Sequence, residues 1–213
     1  MKTALSALLA LLWISLSSKA AEVRQWTNPP NPAMAPAVQA DGDSFGMTVA
    51  GANGQRLKRT YRLYGVDCPE CDEKDPLVKD RIEEQAKHFG IPVEEIPAWG
   101  KRAAEFTAKL LKDGNPKVFT FGPMGEKAQK NKGRPQRYYA LIEVTDGKGQ
   151  LRWLHELLLE AGFAREHGEA APWPEKDLQR NGEEKTREEF MKDLKKLENK
   201  AKREKVGIWQ KRE

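Results

Sequence analysis

The chain has 213 residues, of which 38% are hydrophobic and 32% charged, and its formal net charge is +5. Its long apolar run, residues 4–16, has about 13 residues, whereas a helix that crosses a bilayer needs about 20. The composition therefore argues against stable membrane insertion. Two cysteines and three scattered histidines do not provide the four closely spaced ligands of a structural zinc site.

The first 20 residues have the pattern of a secretory signal peptide. Lys2 precedes the apolar run, and a small-x-small cleavage site ends at Ala20. We expect an exported protein, secreted or periplasmic, with an uncleaved N-terminal anchor as the alternative. Residues 21–37 are rich in proline and predict an extended tether, and residues 38–213 then form one domain.

Strands come first in this domain. Alternating apolar residues at 45–49 and 57–63 predict a hairpin. Asp75-Pro76 predicts the start of a helix that ends at Gly90, because an N-cap side chain followed by proline is typical of a first helical turn. A second helix with apolar residues at helical spacing follows directly.

The second half of the domain adds strands at 117–121 and 137–145. A short helix is predicted at 153–161 and a long one at about 183–205. One helical stretch thus separates two groups of strands, and more helices follow. This order favours the α+β class, with a small antiparallel barrel and helices packed on it.

Four acidic residues mark the ends of the first strands. Asp41 and Asp43 are two residues apart, so their side chains leave the same face of a strand. Asp67 and Glu70 lie in a turn enforced by Pro69. Carboxylates from separate strand ends are the ligands that Ca²⁺ and Mg²⁺ prefer, although a single Asp at a turn more often caps the turn.

Arg62 lies between the two pairs of acids and predicts phosphodiester chemistry. Guanidinium groups hold the nonbridging phosphate oxygens, a cation neutralises further charge, and a carboxylate orients or deprotonates the attacking water. In an unbroken strand Arg62 and Asp67 would point to opposite faces. A bend near Gly65 is therefore expected.

A basic segment precedes the strand at 137–145. Lys130, Lys132 and Arg134 lead to Arg137, with few acids nearby. Such a segment is either a solvated loop or a surface that contacts nucleic-acid phosphates.

The pair Cys68 and Cys71 carries less information. Three-residue spacing makes a local disulfide tight, yet an exported chain permits one. A catalytic redox pair would precede a helix in an alternating β-α-β pattern, which the sequence does not have. We expect oxidation of the pair without a catalytic role.

Five segments, in this order, resemble the staphylococcal nuclease (thermonuclease) family over residues 38–209. The resemblance implies a five-stranded OB-type barrel with three helices, and Ca²⁺-dependent cleavage of the 5′ O–P bond of DNA and RNA that leaves 3′-phosphate ends. It also implies that residues 71–98 are an insertion carrying a helix of its own, either a decoration or a gate on substrate size. The segments are DGDS (41–44), RLYGVDCPE (62–70), RYYALIEV (137–144), LLLEAGFA (157–164) and AKREKVGIW (201–209).

The resemblance also implies roles for single residues. Asp43, Asp67 and the backbone carbonyl of Cys68 match the Ca²⁺ ligands, where Cys68 replaces the usual threonine. Glu70 matches the general base or water-orienting residue. Asp41 matches an acid that tunes the metal site.

The two phosphate-clamping arginines of the family match Arg62 and Arg137, with Arg134 as the rival for the second. Lys130 and Lys132 would contact substrate. The tyrosines that touch nucleotide in better-known members have no counterpart after Ala164. The competing hypothesis is a noncatalytic OB-type module that binds nucleic acid or protein, and nothing in the sequence demands more than a monomer.

Overall fold

The computed structural model of the chain describes residues 33–34, 41–50, 53–72, 76, 78–123, 136–168, 178–180 and 183–210. The predicted signal segment and the basic residues Lys130, Lys132 and Arg134 lie outside these ranges. Within them, no helix has the length and apolar character to cross a membrane.

The described residues contain ten strands. They are β1 (Ala33–Met34), β2 (Ser44–Ala50), β3 (Arg56–Leu63), β4 (Val66–Asp67), β5 (Lys117–Pro123), β6 (Arg137–Thr145), β7 (Leu151–Trp153), β8 (Arg165–Glu166), β9 (Leu178–Arg180) and β10 (Glu183–Lys185). One sheet has the order β1-β2-β3-β6-β5, and β7 pairs with β6. The short strands β4 and β8 pair with each other, as do β9 and β10.

The sheet departs from the predicted antiparallel barrel in one pairing. β3 and β6 run parallel, with Thr60 opposite Arg137 and Leu63 opposite Ala140. The reason is the connection, because helices and β5 lie between these strands and form a crossover rather than a hairpin. Within the described residues no pairing joins β1 to β5, so the sheet is open there and barrel closure stays a prediction.

Four α-helices in the described ranges complete the α+β architecture. They are α1 (Lys79–Phe89), α2 (Ile96–Asp113), α3 (Leu154–Glu160) and α4 (Arg187–Glu204), with short 3-10 helices at Val93–Glu95 and Gly207–Trp209. The predicted start at Asp75-Pro76 is wrong, since α1 begins at Lys79. Gly90 ends α1 in the left-handed conformation, as predicted.

The long C-terminal helix begins four residues later than the predicted residue 183. Thr186 caps it, because its hydroxyl accepts the backbone N–H of Glu189 and the Glu189 side chain accepts the N–H of Thr186. This reciprocal capping box fixes the start of α4 at Arg187. Residues 183–185 are therefore not helical and pair with β9 as strand β10.

The buried apolar side chains form two clusters. The larger joins the sheet to α2, α3 and α4 around Phe45, Leu141 and Leu158, all fully buried. The smaller joins α1 to the start of α2 and to Ile208 of the last 3-10 helix, and Ile82 of α1 lies within it. The helix of the predicted insertion therefore has its own core, which fixes α1 beside β4.

Candidate active site

Asp43 lies immediately before β2 and is fully buried. Its Oδ1 accepts from Arg62 Nη1 and from Ser44 Oγ, the latter at 3.0 Å. Its Oδ2 accepts from the backbone N–H of Cys68 at 2.5 Å. Because Ser44 of β2 pairs with Arg62 of β3, the register of this hairpin brings the carboxylate to the guanidinium.

Asp41 lies two residues earlier and holds the backbone in place. Its Oδ1 accepts the N–H of Ser44 at 2.6 Å and that of Asp43 at 3.3 Å. These bonds fix the turn that leads into β2, as an Asp at a turn commonly does. Asp41 thus shapes the site from the backbone side.

The bend expected near Gly65 is present. Gly65 has φ of +79°, and β3 ends at Leu63 while β4 begins at Val66. A Cβ on Gly65 would lie 2.5 Å from a methyl carbon of Leu194. The bend brings Asp67 to the side of β3 that carries Arg62, where Nη2 of Arg62 donates to Asp67 Oδ1 at 2.7 Å.

Besides Arg62 of β3, three side chains from two other elements, α1 and β8, donate to Asp67. Arg81 of α1 donates to Oδ1 at 2.5 Å. Gln85 of α1 and Arg165 of β8 reach Oδ2 at 2.9 Å each. Arg165 is positioned by the strand pairing of β8 with β4, in which it lies opposite Asp67.

Helix α1 also holds the turn after β4. The side-chain nitrogen of Gln85 donates to the carbonyl of Cys68 at 2.8 Å, and its oxygen accepts the N–H of Glu70 at 2.9 Å. Arg81 Nη2 lies 2.9 Å from Glu70 Oε1. One helix therefore orients the backbone and the carboxylate of the turn.

The carboxylates fall into two electrostatic groups. Burial opposes ionisation of Asp67, but the nearby arginines outweigh it and hold its pKa well below the usual range. Burial raises the pKa of Asp41 and Glu70, in spite of nearby arginines. Burial also raises the pKa of Asp43 to about 8, against the attraction of Arg62. Three of the four acids are thus held in an environment that disfavours their charge.

Arg137 is the first residue of β6 and lies opposite Thr60 in the parallel pairing with β3. Thr60 and Arg62 are two apart, so Arg137 shares the sheet face of Arg62. Burial and the Arg62 guanidinium lower the pKa of Arg137. Among the described residues Arg137 has no ion-pair partner, in contrast to Arg62.

Two sets of predicted residues have other outcomes. Lys130, Lys132 and Arg134 fall outside the described residues, so the rival for the second clamp is untested. Cys68 and Cys71 form no disulfide with each other, and the expected oxidation of the pair is wrong for this structure. Burial raises the pKa of both thiols, as expected for groups that are not activated.

Three residues that contact Asp67 were not predicted from the sequence: Arg81, Gln85 and Arg165. Gln85 lies on the buried face of α1, between Ile82 and Phe89. A polar side chain at such a position is itself a signal, because buried polar groups need partners. Arg165 gave no signal, since its position depends on the pairing of β4 with β8.

The oxygen-rich side of the site has donors of the kind that Ca²⁺ takes. Carboxylates and the Cys68 carbonyl are suitable ligands, and a divalent cation would favour the ionised forms of the acids with raised pKa. Within the described residues no three His, Cys, Asp or Glu side chains are arranged to hold a metal. Asp67 and the Cys68 carbonyl accept from protein donors instead. The donor set fits Ca²⁺ in chemistry and charge. Binding of the ion would displace some of the protein donors that now contact Asp67 and the Cys68 carbonyl.

The fold and the site together define an α+β protein in which buried carboxylates and guanidinium groups meet at strand ends. A family model described as staphylococcal nuclease homologue matches residues 60–211, and the chain belongs to this family. The predicted resemblance is thereby confirmed. The match begins after the two acids that precede β2. No curated protein matches the chain. The family is of the nuclease type, so nucleic acid is the expected class of substrate.

Proposed function

We propose that the chain is an exported, Ca²⁺-dependent nuclease that hydrolyses phosphodiester bonds of DNA or RNA with little sequence specificity. The observation that carries the proposal is that two guanidinium groups share one face of the sheet but differ in their ion pairs. Arg62 is held between two carboxylates, whereas Arg137 on the same face has no ion pair among the described residues. Such a half-buried guanidinium is available to an anionic ligand.

In the proposed reaction Arg137 and Arg62 contact the nonbridging oxygens of the scissile phosphate. Their positive charge favours the transition state, in which negative charge on these oxygens increases. Glu70 accepts a proton from the attacking water. Its raised pKa supports this role, because a base works best when its pKa approaches the working pH.

The products follow from the direction of attack. The water oxygen bonds to phosphorus, the bond to the 5′ oxygen breaks, and that oxygen takes up a proton as it leaves. One strand end then carries a 3′-phosphate and the other a 5′-hydroxyl. Asp43, Asp67 and the Cys68 carbonyl would hold Ca²⁺, with Asp41 beside them, and the ion would supply positive charge to the phosphate.

Binding of the polymer is proposed to be electrostatic and independent of sequence. Lys130, Lys132 and Arg134 would contact phosphates beyond the scissile one, and phosphate contacts carry no base specificity. The protein would act as a monomer after removal of residues 1–20.

The test uses the chain from Ala21 onward with heat-denatured DNA, in Ca²⁺ and in chelator. Loss of polymer in Ca²⁺ alone, with 3′-phosphate ends, is expected. Glu70→Gln should lower kcat by about 10²- to 10⁴-fold, the usual contribution of a general base. Glu83→Gln is the matched control, because Glu83 is exposed on α1.

An intact polymer in both tubes, with a folded protein that still binds DNA, would contradict catalysis. It would favour the noncatalytic nucleic-acid-binding module.

A further inference from the structure

Helix α1 brings a third guanidinium group to the site. Among the three arginines that contact Asp67, the side chain of Arg62 is 10% exposed and that of Arg165 is 4% exposed, whereas that of Arg81 is 38% exposed. The same nitrogen of Arg81, Nη2, contacts both Asp67 and Glu70. Arg81 is therefore the most accessible cation on this carboxylate.

The other two arginines are fixed by additional contacts. Arg62 also contacts Asp43 and the carbonyl of Val66. Both terminal nitrogens of Arg165 donate to Glu84, at 2.6 and 2.8 Å. Among the described residues, Arg81 contacts the site through one nitrogen. Because Arg81 is the most exposed of the three arginines and Asp67 keeps the other two, Arg81 is the arginine that can change partners at the lowest cost.

Departure of Arg81 would leave the site intact. Asp67 would keep Arg62 on Oδ1, and Arg165 and Gln85 on Oδ2. The backbone of Glu70 would stay on Gln85. The carboxylate of Glu70, in contrast, would lose its ion pair with Arg81 and become available to water.

We propose that Arg81 contacts a phosphate oxygen of bound nucleic acid and releases Glu70 as it does so. This inference rests on the proposed function, in which Glu70 faces the water that attacks the phosphate. A guanidinium 2.9 Å from Glu70 lies within side-chain reach of that phosphate. Its planar fork suits phosphate oxygens better than an ammonium group does. Binding of substrate and release of the base are thereby coupled through one side chain.

The test separates a phosphate contact from a structural tether. Binding of a fluorescein-labelled oligothymidylate of about 12 nucleotides, a length that fits one OB-type site, is measured in chelator over a range of salt concentrations. Arg81→Gln keeps an amide donor for Asp67 and Glu70 but removes the charge. Lys87→Gln is the matched control, because Lys87 is exposed on the same helix and loses the same charge.

A lost phosphate contact should make the slope of log K against log salt shallower by about 0.7, the value per contact for single strands. The slope of Lys87→Gln should equal that of the wild type. If Arg81→Gln also keeps the wild-type slope, Arg81 is a tether and the inference fails. Should Arg81→Gln not fold, Arg81→Met replaces it, since methionine fills the volume of the aliphatic stem.

The outcome also separates the inference from the proposed function. A wild-type chain that neither binds the oligonucleotide nor cleaves DNA in Ca²⁺ contradicts the proposed function. A wild-type chain that does both, with an unchanged slope for Arg81→Gln, contradicts the role of Arg81 alone.

Discussion

Asp67 and Glu198 are both buried carboxylates surrounded by cations, and α1 contributes to both clusters. Arg81 in its first turn contacts Asp67, and His88 in its last turn lies 2.9 Å from Glu198. The pKa of each acid is held well below its usual range. At Asp67 the arginines outweigh burial, and at Glu198 the bonds from His88 and two lysines do so.

The two clusters differ in their other members. Glu198 accepts from Lys195 at 3.0 Å and from Lys202 at 2.6 Å, and from the backbone N–H of Glu166 at 3.2 Å. One further carboxylate approaches, where Glu166 lies 3.9 Å from Lys195. Two lysines and His88 thus surround Glu198 and its neighbour Glu166, and the cluster joins α1, α4 and β8.

The Asp67 cluster contains three more acids, and each has a raised pKa. Its charges are close but incompletely compensated, which is costly in a buried site unless a ligand adds positive charge. We expect from this comparison that the Glu198 cluster serves stability, whereas the site around Asp67, with Arg137 on the sheet face of Arg62, serves binding and chemistry.

The sharpest test of this division is Arg137→Ala. Arg137 has no ion pair among the described residues, so its loss should leave the melting temperature almost unchanged. Activity should fall by about 10³-fold, or about 4 kcal/mol of transition-state stabilisation, as for the loss of one preorganised donor. Initial rates on denatured DNA and thermal melting of the same samples give both quantities.

Arg56→Ala is the control for Arg137, because Arg56 is an exposed arginine at the start of β3. It should keep both activity and melting temperature. A large drop in the melting temperature of Arg137→Ala would mean that Arg137 is a structural residue, and the division would fail.

Glu198→Gln should have the opposite effect. The lysines around Glu198 are partly exposed and can return to water, so the cost should be about 3 kcal/mol, the lower end for a broken buried pair. The melting temperature should fall by about 6 to 12 °C for a chain of this size. Glu204→Gln, at an exposed position of α4, should change it little. If Glu198→Gln loses activity at temperatures where it is fully folded, the Glu198 cluster is more than structural.

Local signals in the sequence predicted much of both regions. The alternation at 45–49 and 57–63 gave the β2–β3 hairpin, and with it the approach of Asp43 to Arg62. The expected bend at Gly65 is confirmed because only such a bend brings Arg62 and Asp67 together. These features depend on neighbours close in sequence.

The contacts that the sequence did not predict are long-range. Arg165 reaches Asp67 across 98 positions, and His88 reaches Glu198 across 110. No periodicity encodes such pairings, since they depend on how α1 and β8 dock on the rest of the fold.

The smallest expected effect is the pH dependence of stability that Glu198 provides. A carboxyl group whose folded pKa is lowered stabilises the fold above its unfolded pKa of about 4.3. That contribution is lost as the pH falls from there towards the folded pKa, because the unfolded chain takes up the proton first. The loss is at most about 1.4 kcal/mol per pH unit for one proton.

Urea unfolding of the wild type and of Glu198→Gln between pH 7 and pH 3 measures this contribution. The difference in unfolding free energy should be constant down to about pH 5 and should shrink below the unfolded pKa of about 4.3. Asp67 also has a lowered pKa, but it is present in both proteins and cancels in the difference. Glu204→Gln should follow the wild-type curve. A constant difference down to pH 3 would show that Glu198 stabilises the fold by packing rather than by its charge. The Glu198 cluster would then not be an electrostatic counterpart of the Asp67 cluster.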